Sequence, residues 1–276
     1  MAINSIKIRA FRATDDPISC ERFIEGHAHV LEVAGVKKVT SANHDWMYNP
    51  ASFVIIVENE DGSKVLGGAR LQCSGGNQPL PIEQAAGEFD ARIYDVVREK
   101  SVNGTAELCG LWNSREVSGL GIGAFFSTRV GVVIAEQVGV ESIFALCAPY
   151  TVKFAEKVGC RVLKSIGNNG TFYYPKLDLL ATIVLLEDAQ TIKQAEPAEQ
   201  ERIFDIRKNL KQVYTEISPI RQMEVEIHYD LALQNVDPAA FKIALPWKEG
   251  CFCYLAASWV QVCLLNKLWL KKTNPP

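Results

Sequence analysis

A glycine-rich turn between an apolar strand and an apolar helix constrains this 276-residue chain more than any other feature. Residues 105–112 read as the strand, residues 118–123 (Ser-Gly-Leu-Gly-Ile-Gly) as the turn, and residues 124–138 as a helix terminated by Gly139. The first N–H groups of a helix have no intrahelical partner and carry partial positive charge, so they attract anions. Glycines allow phosphate oxygens to approach such a backbone closely. The unit therefore predicts a phosphate site that needs no basic side chain.

Two other interpretations of this turn compete with the phosphate site. It can be a plain strand-to-helix turn that binds nothing. It can also be a dinucleotide-binding turn, which requires the spacing Gly-x-Gly-x-x-Gly and an acidic residue about 20 positions later. Here Ala124 takes the third glycine position, and the strand predicted at 142–147 is apolar. The elements on either side of the turn therefore have to decide between these interpretations.

The order of the neighbouring elements predicts an α/β fold. Residues 5–11 alternate as a strand, and Asp16-Pro17 is a typical start for a helix. Two runs at 52–57 and 65–71, joined by Glu-Asp-Gly, predict a β-hairpin. After the glycine turn and its helix come a strand at 142–147, a helix at 151–158 and a strand from 161, all further elements of an α/β sandwich around a mixed sheet.

The character of the sequence changes after about residue 189. Apolar residues from Ile203 to Ile217 recur every three or four positions, which predicts an amphipathic helix, and residues 223–229 alternate as a strand. We therefore predict a main domain at 1–189 and a C-terminal extension at 190–276 that docks on it. An oligomerisation or membrane-docking element is the alternative. The apolar run at 251–265 is shorter than the ~20 residues of a spanning helix.

Composition excludes several classes of protein. With 48% hydrophobic and 22% charged residues and a net charge of -3, the chain is typical of a globular protein without a nucleic-acid partner. The amino terminus has no apolar core of signal-peptide length, so the cytoplasm is the expected compartment. The eight cysteines are scattered, mostly inside apolar runs, and predict neither a disulfide framework nor a metal site.

Two segments resemble the Gcn5-related N-acetyltransferases. Residues 116–121 (Glu-Val-Ser-Gly-Leu-Gly) resemble the family's Gln/Arg-x-x-Gly-x-Gly/Ala signature, and residues 155–160 resemble its Tyr-Glu-Lys-x-Gly-Phe segment. The resemblance spans about 5–187 and implies a mixed, mostly antiparallel sheet flanked by helices, with no permanently bound cofactor. It also implies that coenzyme A or acyl-carrier phosphopantetheine binds as cosubstrate. The residues implied to hold it are Leu111, Trp112, Val117, Ser118, Gly119, Gly121, Ile122 and Gly123.

Three further segments resemble one branch of that family, the acyl-homoserine-lactone synthases and N-acyl amino acid synthases. They are residues 45–49 (Asp-Trp-Met-Tyr-Asn), 67–71 (Gly-Gly-Ala-Arg-Leu) and the Glu-Leu pair at 107–108. The resemblance implies that Glu107 accepts a proton from the attacking amine. Asp45, Arg70 and Tyr150 are the candidate substrate-binding residues. The competing interpretations are an exposed strand residue for Glu107, a structural ion pair for Asp45 and Arg70, and a packing role for Tyr150.

Departures from the two patterns define a second hypothesis. Glu116 replaces the Gln or Arg of the signature, Ala155 replaces a tyrosine that protonates the leaving thiolate, and Gly110 replaces an arginine of the synthases. The first hypothesis is an N-acyltransferase that moves an acyl group from acyl-CoA or acyl carrier protein to a small, amino-acid-like amine. The alternative is an inactive acyl-CoA-binding or regulatory protein with this fold. A homo-oligomer is compatible with both.

Overall fold

Ten strands form one mixed sheet in the computed structural model, which describes residues 5–33, 35–36, 44–176 and 178–243. The order along the sheet is β6-β8-β5-β4-β3-β2-β1-β10-β9, and β7 also pairs with β8. The strands are β1 Ser5–Arg12, β2 Ser52–Asn59, β3 Val65–Cys73, β4 Thr105–Asn113, β5 Ser142–Cys147, β6 Arg161–Val162, β7 Thr171–Tyr173, β8 Leu180–Leu186, β9 Lys211–Ile217 and β10 Glu224–Asp230.

Six α-helices accompany the sheet within the described residues. They are α1 Pro17–Val33, α2 Pro81–Gly87, α3 Arg92–Ser101, α4 Ser127–Gln137, α5 Pro149–Lys157 and α6 Pro197–Lys208. The predicted start of α1 is confirmed, because the Ser19 N–H donates to Asp16 Oδ1 at 3.0 Å. In the described ranges no helix combines the length and apolarity needed to cross a membrane. The apolar run at 251–265 and Cys251, Cys253 and Cys263 lie outside the described residues.

The sheet is antiparallel except at two places, where β4 pairs with β5 and β1 with β10. This confirms the predicted mixed, mostly antiparallel sheet and its β2–β3 hairpin. One face packs against α4, α5 and α6 through the largest apolar cluster, which includes Phe126, Phe154 and Ile203. Smaller clusters under α1, α2 and α3 include Phe23 and Ile93. Helices therefore flank the sheet on both faces.

The helix predicted from 203 to 217 is shorter in the structure. Helix α6 ends at Lys208, Asn209 is extended at φ -140° and ψ 90°, and residues 211–217 form β9 instead. Val213 and Ile217 are exposed, so their helix-like spacing does not mark a buried face. Pairing with β10 decides the conformation of this segment, because strand partners override a short apolar periodicity. The strand predicted at 223–229 is confirmed as β10.

Residues 197–230 therefore extend the same sheet, through the parallel pairing of β10 with β1. The predicted boundary at 189/190 lies in the loop between β8 and α6. That residues 1–189 form a domain of their own stays a prediction. The extension is also tied to the main part by a buried ion cluster. Arg129 of α4 is 3% exposed and donates to Glu199 of α6 through Nε and Nη2, and to Glu216 of β9 through Nη1, each at 2.8 Å.

Candidate active site

Strands β4 and β5 pair over only three residues and then diverge. Thr105, Ala106 and Glu107 lie opposite Ser142–Phe144, whereas β4 continues to Asn113 and β5 to Cys147 without further pairing between them. On its other edge β4 remains paired with β3 as far as Asn113. The β5-facing edge of residues 108–113 is therefore open. Backbone N–H and C=O groups on such an edge need a partner, which an extended ligand can supply.

A cavity of ≈ 420 Å³ occupies the gap between the two strands. Its size is that of a small-molecule site, and most of its walls are apolar. Three residues predicted from the sequence line it: Leu111, Trp112 and Tyr150. Tyr150 stands in the first turn of α5 and is 74% exposed, so its predicted packing role is wrong. Other lining residues are Leu108, Thr128, Val132, Ile143, Ala145, Cys147, Ala155, Cys160 and Leu186.

A β-bulge in β4 faces this region. Gly68 of β3 lies opposite Trp112, and Arg70 lies opposite Cys109, so β4 carries one residue more than β3 in this interval. Gly110 lies in the bulge with φ +60°, a conformation that glycine adopts without strain. The synthases carry an arginine at this position. Glycine therefore suits position 110 of this chain, because the bulge requires a positive φ there.

The glycine loop between β4 and α4 has amides without partners. Gly119 and Gly121 have φ values of +80° and +79°, in the left-handed region. Within the described part of the chain, neither of their N–H groups donates a hydrogen bond. The loop is anchored to the core by three buried side chains, those of Val117, Leu120 and Ile122. Free glycine amides on an anchored loop are what an anion site requires.

The loop opens into a wide helical turn. The N–H groups of Phe125 and Phe126 both donate to the Gly121 carbonyl oxygen, at 2.8 and 3.1 Å, so residues Ile122–Phe126 form a π-helical turn before α4. Gly123 lies in this turn, and Ser118 is exposed just before it. The helix predicted at 124–138 therefore begins as a π turn. Such turns are frequent at functional sites.

The departures from the family signature have structural consequences. The Glu116 carboxylate pairs with Lys64 at 2.7 Å, so its charge is partly neutralised beside the loop. Ala155 presents only a methyl group to the cavity. Burial raises the pKa of Cys147 to about 11, so this thiol is protonated at neutral pH and is a poor nucleophile.

Glu107 is 2% exposed, so its interpretation as an exposed strand residue is wrong. Its Oε2 accepts a hydrogen bond of 2.6 Å from the Ile82 N–H in the first turn of α2. Burial raises the pKa of Glu107 to about 8, against the opposing effects of this hydrogen bond and of Arg70. The carboxyl group does not line the cavity between β4 and β5. Its predicted catalytic role stays a prediction.

A second cavity, of ≈ 440 Å³, lies against the inner face of α1. Phe23, His27, His44 and Trp46 are among its lining residues. Burial, followed by the charge of Arg70, lowers the pKa of His27 to about 4, so this imidazole is neutral at pH 7. None of these four residues was predicted from the sequence as a site residue, because aromatic side chains in an apolar pattern usually indicate core packing.

The remaining predicted acceptor residues lie beside this second cavity. The Arg70 guanidinium carbon is 4.7 Å from the centre of the Trp46 ring, and Arg70 is 1% exposed. Asp45 begins the 3₁₀ turn Asp45–Tyr48 and is exposed. Trp112, which lines the first cavity, packs edge-on against Phe23 of the second, with ring centres 5.8 Å apart. Aromatic packing therefore links the walls of the two cavities.

Comparison with known proteins gives the fold. FeeM, an N-acyl amino acid synthase from uncultured soil microbes, matches with a TM-score of 0.51 and 13% identity, over 71% of this chain and 97% of FeeM. BjaI, a CoA-dependent acyl-homoserine lactone synthase, matches with a TM-score of 0.42 and 13% identity, over 73% of this chain and 89% of BjaI. An acyl-CoA N-acyltransferase from Pseudomonas aeruginosa matches with a TM-score of 0.45 and 9% identity, over 65% of this chain and 98% of that protein.

No protein-family model and no curated protein matches the sequence. The similarity to FeeM shows that the chain has the Gcn5-related N-acetyltransferase fold, as the loop signature predicted. The described residues contain no group of three or more His, Cys, Asp or Glu side chains placed to bind a metal ion.

Proposed function

We propose that this protein is an N-acyltransferase that moves an acyl group from a phosphopantetheine thioester to a small, amino-acid-like amine. The observation that carries the proposal is the divergence of β4 from β5 around an apolar cavity, next to a loop with unpartnered glycine amides. Coenzyme A and acyl carrier protein both present a phosphate, an amide-bearing arm and a thioester in that order. The protein offers a site for each group in the same order: the loop for the phosphate, the open edge of β4 for the amide-bearing arm and the cavity for the acyl thioester.

The donor would lie along β4. The amides of Gly119 and Gly121 would bind the phosphate, and the pantetheine amides would pair with the open edge of residues 108–113. The acyl chain would then lie among Leu108, Val132 and Leu186. Removing such a chain from water contributes about 25 cal/mol per Å² of buried apolar surface. The cavity therefore favours a fatty acyl donor with an apolar chain.

The acceptor would bind in the cavity beside α1. Arg70 does not line this cavity but lies against Trp46, which does. Burial and then the charge of Arg70 lower the pKa of His27, so the local potential favours an acceptor carboxylate. Asp45 lies between two lining residues, His44 and Trp46, where its carboxylate can receive the ammonium group of an approaching amino acid. Tyr150 lies on the donor side and is placed to contact the pantetheine arm.

Glu107 is the base in this proposal. The ammonium group loses one proton to Glu107, and the amine nitrogen then attacks the thioester carbon. The C–S bond breaks to release a thiolate, and the new amide nitrogen gives its second proton to solvent. Because Glu107 lines neither cavity, water has to carry the proton between the amine and its carboxylate. A carboxyl group with a pKa of about 8 is well matched to an amine, since proton transfer is efficient when the two pKa values are close. The thiolate takes its proton from solvent, because Ala155 has none to give.

The test is thiol release from a graded series of acyl-CoA and acyl-carrier substrates with a panel of amino acids. Glu107→Gln should lower kcat by roughly 100-fold or more, with thermal unfolding no earlier than in the wild type. The wild-type rate should fall as pH is lowered through about 8, because only the ionised carboxylate accepts the proton. Thiol release by Glu107→Gln that equals the wild type at every pH would show that the base is misassigned.

A second candidate function has specific support. Ala155 supplies no proton donor, and Glu107 is sealed beneath the first turn of α2. Both features suit an acyl-CoA-binding or regulatory protein without turnover. Calorimetry with acyl-CoA, followed by the thiol-release assay on the same sample, separates the two functions. Tight binding with no release across the amine panel would favour the second.

A further inference from the structure

The turn that joins β9 to β10 lies directly against the glycine loop. A β-carbon placed on Gly119 would lie 2.9 Å from Arg221 Nε, and one placed on Gly121 would lie 2.6 Å from Pro219 Cδ. Both distances are shorter than ordinary van der Waals contacts. The two glycines therefore fit closely beneath the C-terminal turn, which brings a guanidinium group to the edge of the proposed phosphate site.

Arg221 has no competing partner in the part of the chain that the structure describes. It is exposed, and it makes neither a hydrogen bond nor an ion pair with those residues. Glu116, the acidic residue of the loop signature, is paired with Lys64 instead. The guanidinium group is thus free to bind an anion beside the free amide of Gly119.

The position of the turn is fixed by hydrogen bonds and by buried charge. Ser218 is fully buried, its N–H donates to the Met223 carbonyl at 2.8 Å, and its carbonyl accepts from the Gln222 N–H at 3.1 Å. Two residues earlier, Glu216 accepts the hydrogen bond from Arg129. Arg129 belongs to α4, the helix that follows the glycine loop. One buried ion pair therefore connects the turn to the helix next to the loop.

We propose that Arg221 is the cation that binds the phosphate of the acyl carrier in this protein. The inference rests on the proposed function and adds a residue from the C-terminal extension to the donor site. A guanidinium group donates two parallel hydrogen bonds to phosphate oxygens, and such charge-assisted bonds are roughly twice as strong as neutral ones. Arg221 would supply the charge that Glu116 cannot. The shared ligand chemistry is a phosphate ester next to the pantetheine arm, present in coenzyme A and in acyl-carrier phosphopantetheine.

The experiment compares wild type, Arg221→Ala, Arg221→Lys and the control Lys211→Ala in the full-length protein. Lys211 carries the same charge on the same hairpin, at the far end of β9, where it pairs with Asp230 at 3.7 Å. Calorimetric titrations would use coenzyme A, phosphopantetheine-loaded carrier protein and pantetheine, which has no phosphate. Circular dichroism melts would confirm that all four proteins are folded.

Arg221→Ala should weaken coenzyme A binding by roughly 10- to 100-fold and leave pantetheine binding unchanged. The affinity of Arg221→Lys for coenzyme A should lie between those of the wild type and Arg221→Ala, because lysine keeps the charge but cannot donate two parallel hydrogen bonds. The control Lys211→Ala should bind as the wild type does. If the Arg221→Ala loss of affinity is larger for phosphopantetheine-loaded carrier protein than for coenzyme A, the carrier protein is identified as the donor. If the loss is larger for coenzyme A, coenzyme A is identified as the donor. Equal losses for coenzyme A and pantetheine, or no loss for either, would overturn the inference. A wild type that binds none of the three ligands would overturn the proposed function itself.

Discussion

Two buried charged centres in this molecule differ in how their charges are satisfied. Arg129 is 3% exposed, and Glu199 and Glu216 accept its hydrogen bonds at 2.8 Å, which together with their charges raises its pKa against the effect of burial. Glu107 is equally buried, but among the described residues it accepts a hydrogen bond from a single backbone N–H, and burial raises its pKa to about 8.

This difference in how the charges are satisfied distinguishes a structural centre from a chemical one. A charge surrounded by opposite charges in good geometry stays ionised at every working pH and holds elements together. A carboxyl group whose ionisation is disfavoured can change its protonation state near neutral pH, which is the property of a general base. The first centre joins α4 to the C-terminal extension, and the second lies on β4, the strand that the donor is proposed to follow.

The largest expected effect tests the architectural centre. Arg129→Met should lower the free energy of unfolding by about 3–5 kcal/mol, because it leaves Glu199 buried without its partner and Glu216 with Arg202 alone. Denaturant unfolding measures this loss. The triple variant Arg129→Met, Glu199→Leu, Glu216→Leu should recover much of it, since the one cation that loses a partner, Arg202, reaches solvent and still lies beside Asp205. A single variant as stable as the wild type would contradict the assignment of this centre to the architecture.

An effect that is smaller for each pH unit tests the chemical centre through the pH dependence of stability. An unfolded glutamate loses its proton near pH 4.5, whereas folded Glu107 keeps it to about pH 8. Between these pH values the folded state binds more protons, so the free energy of unfolding should fall as pH rises, by about 1.4 kcal/mol per pH unit from this group. Below and above the window this contribution is flat. The slope should disappear in Glu107→Gln and persist in Glu83→Gln, and denaturant titrations at a series of pH values measure it.

The smallest expected change in the free energy of unfolding concerns an exposed ion pair, which serves as a reference for the two buried centres. Glu116 and Lys64 form an ion pair of 2.7 Å whose side chains are 41% and 57% exposed. Solvent screens such a pair, so Glu116→Gln should change the free energy of unfolding by less than about 1 kcal/mol. A loss comparable to that of Arg129→Met would show that exposure does not distinguish these ion pairs.

Local sequence patterns predicted the elements whose conformation depends on near neighbours. The β2–β3 hairpin, the start of α1 at Asp16 and the strand–loop–helix unit follow from turn residues, caps and alternation. Strand β8 went unpredicted although its run of Leu, Ile and Val residues carries a strand signal. The segment from 210 to 217 was misassigned because a helical spacing of apolar residues does not reveal a strand partner elsewhere in the chain.

The candidate site was predictable only where a local motif marks it. The glycine loop and Glu107 stand inside recognisable segments, so the sequence identified them. The burial of Glu107 beneath α2, the aromatic cavity beside α1 and the proximity of Arg221 to Gly119 depend on contacts between distant parts of the chain. Single-sequence periodicity contains no record of such contacts.

The parallel pairing of β1 with β10 has a consequence for synthesis. Ser5 lies opposite Glu226, so β1 leaves the ribosome long before β10, and its edge stays unfilled until β10 has been made. Until then the edge of β1 is open to wrong pairing and aggregation. Nascent chains that stop before residue 224 should therefore depend on chaperones.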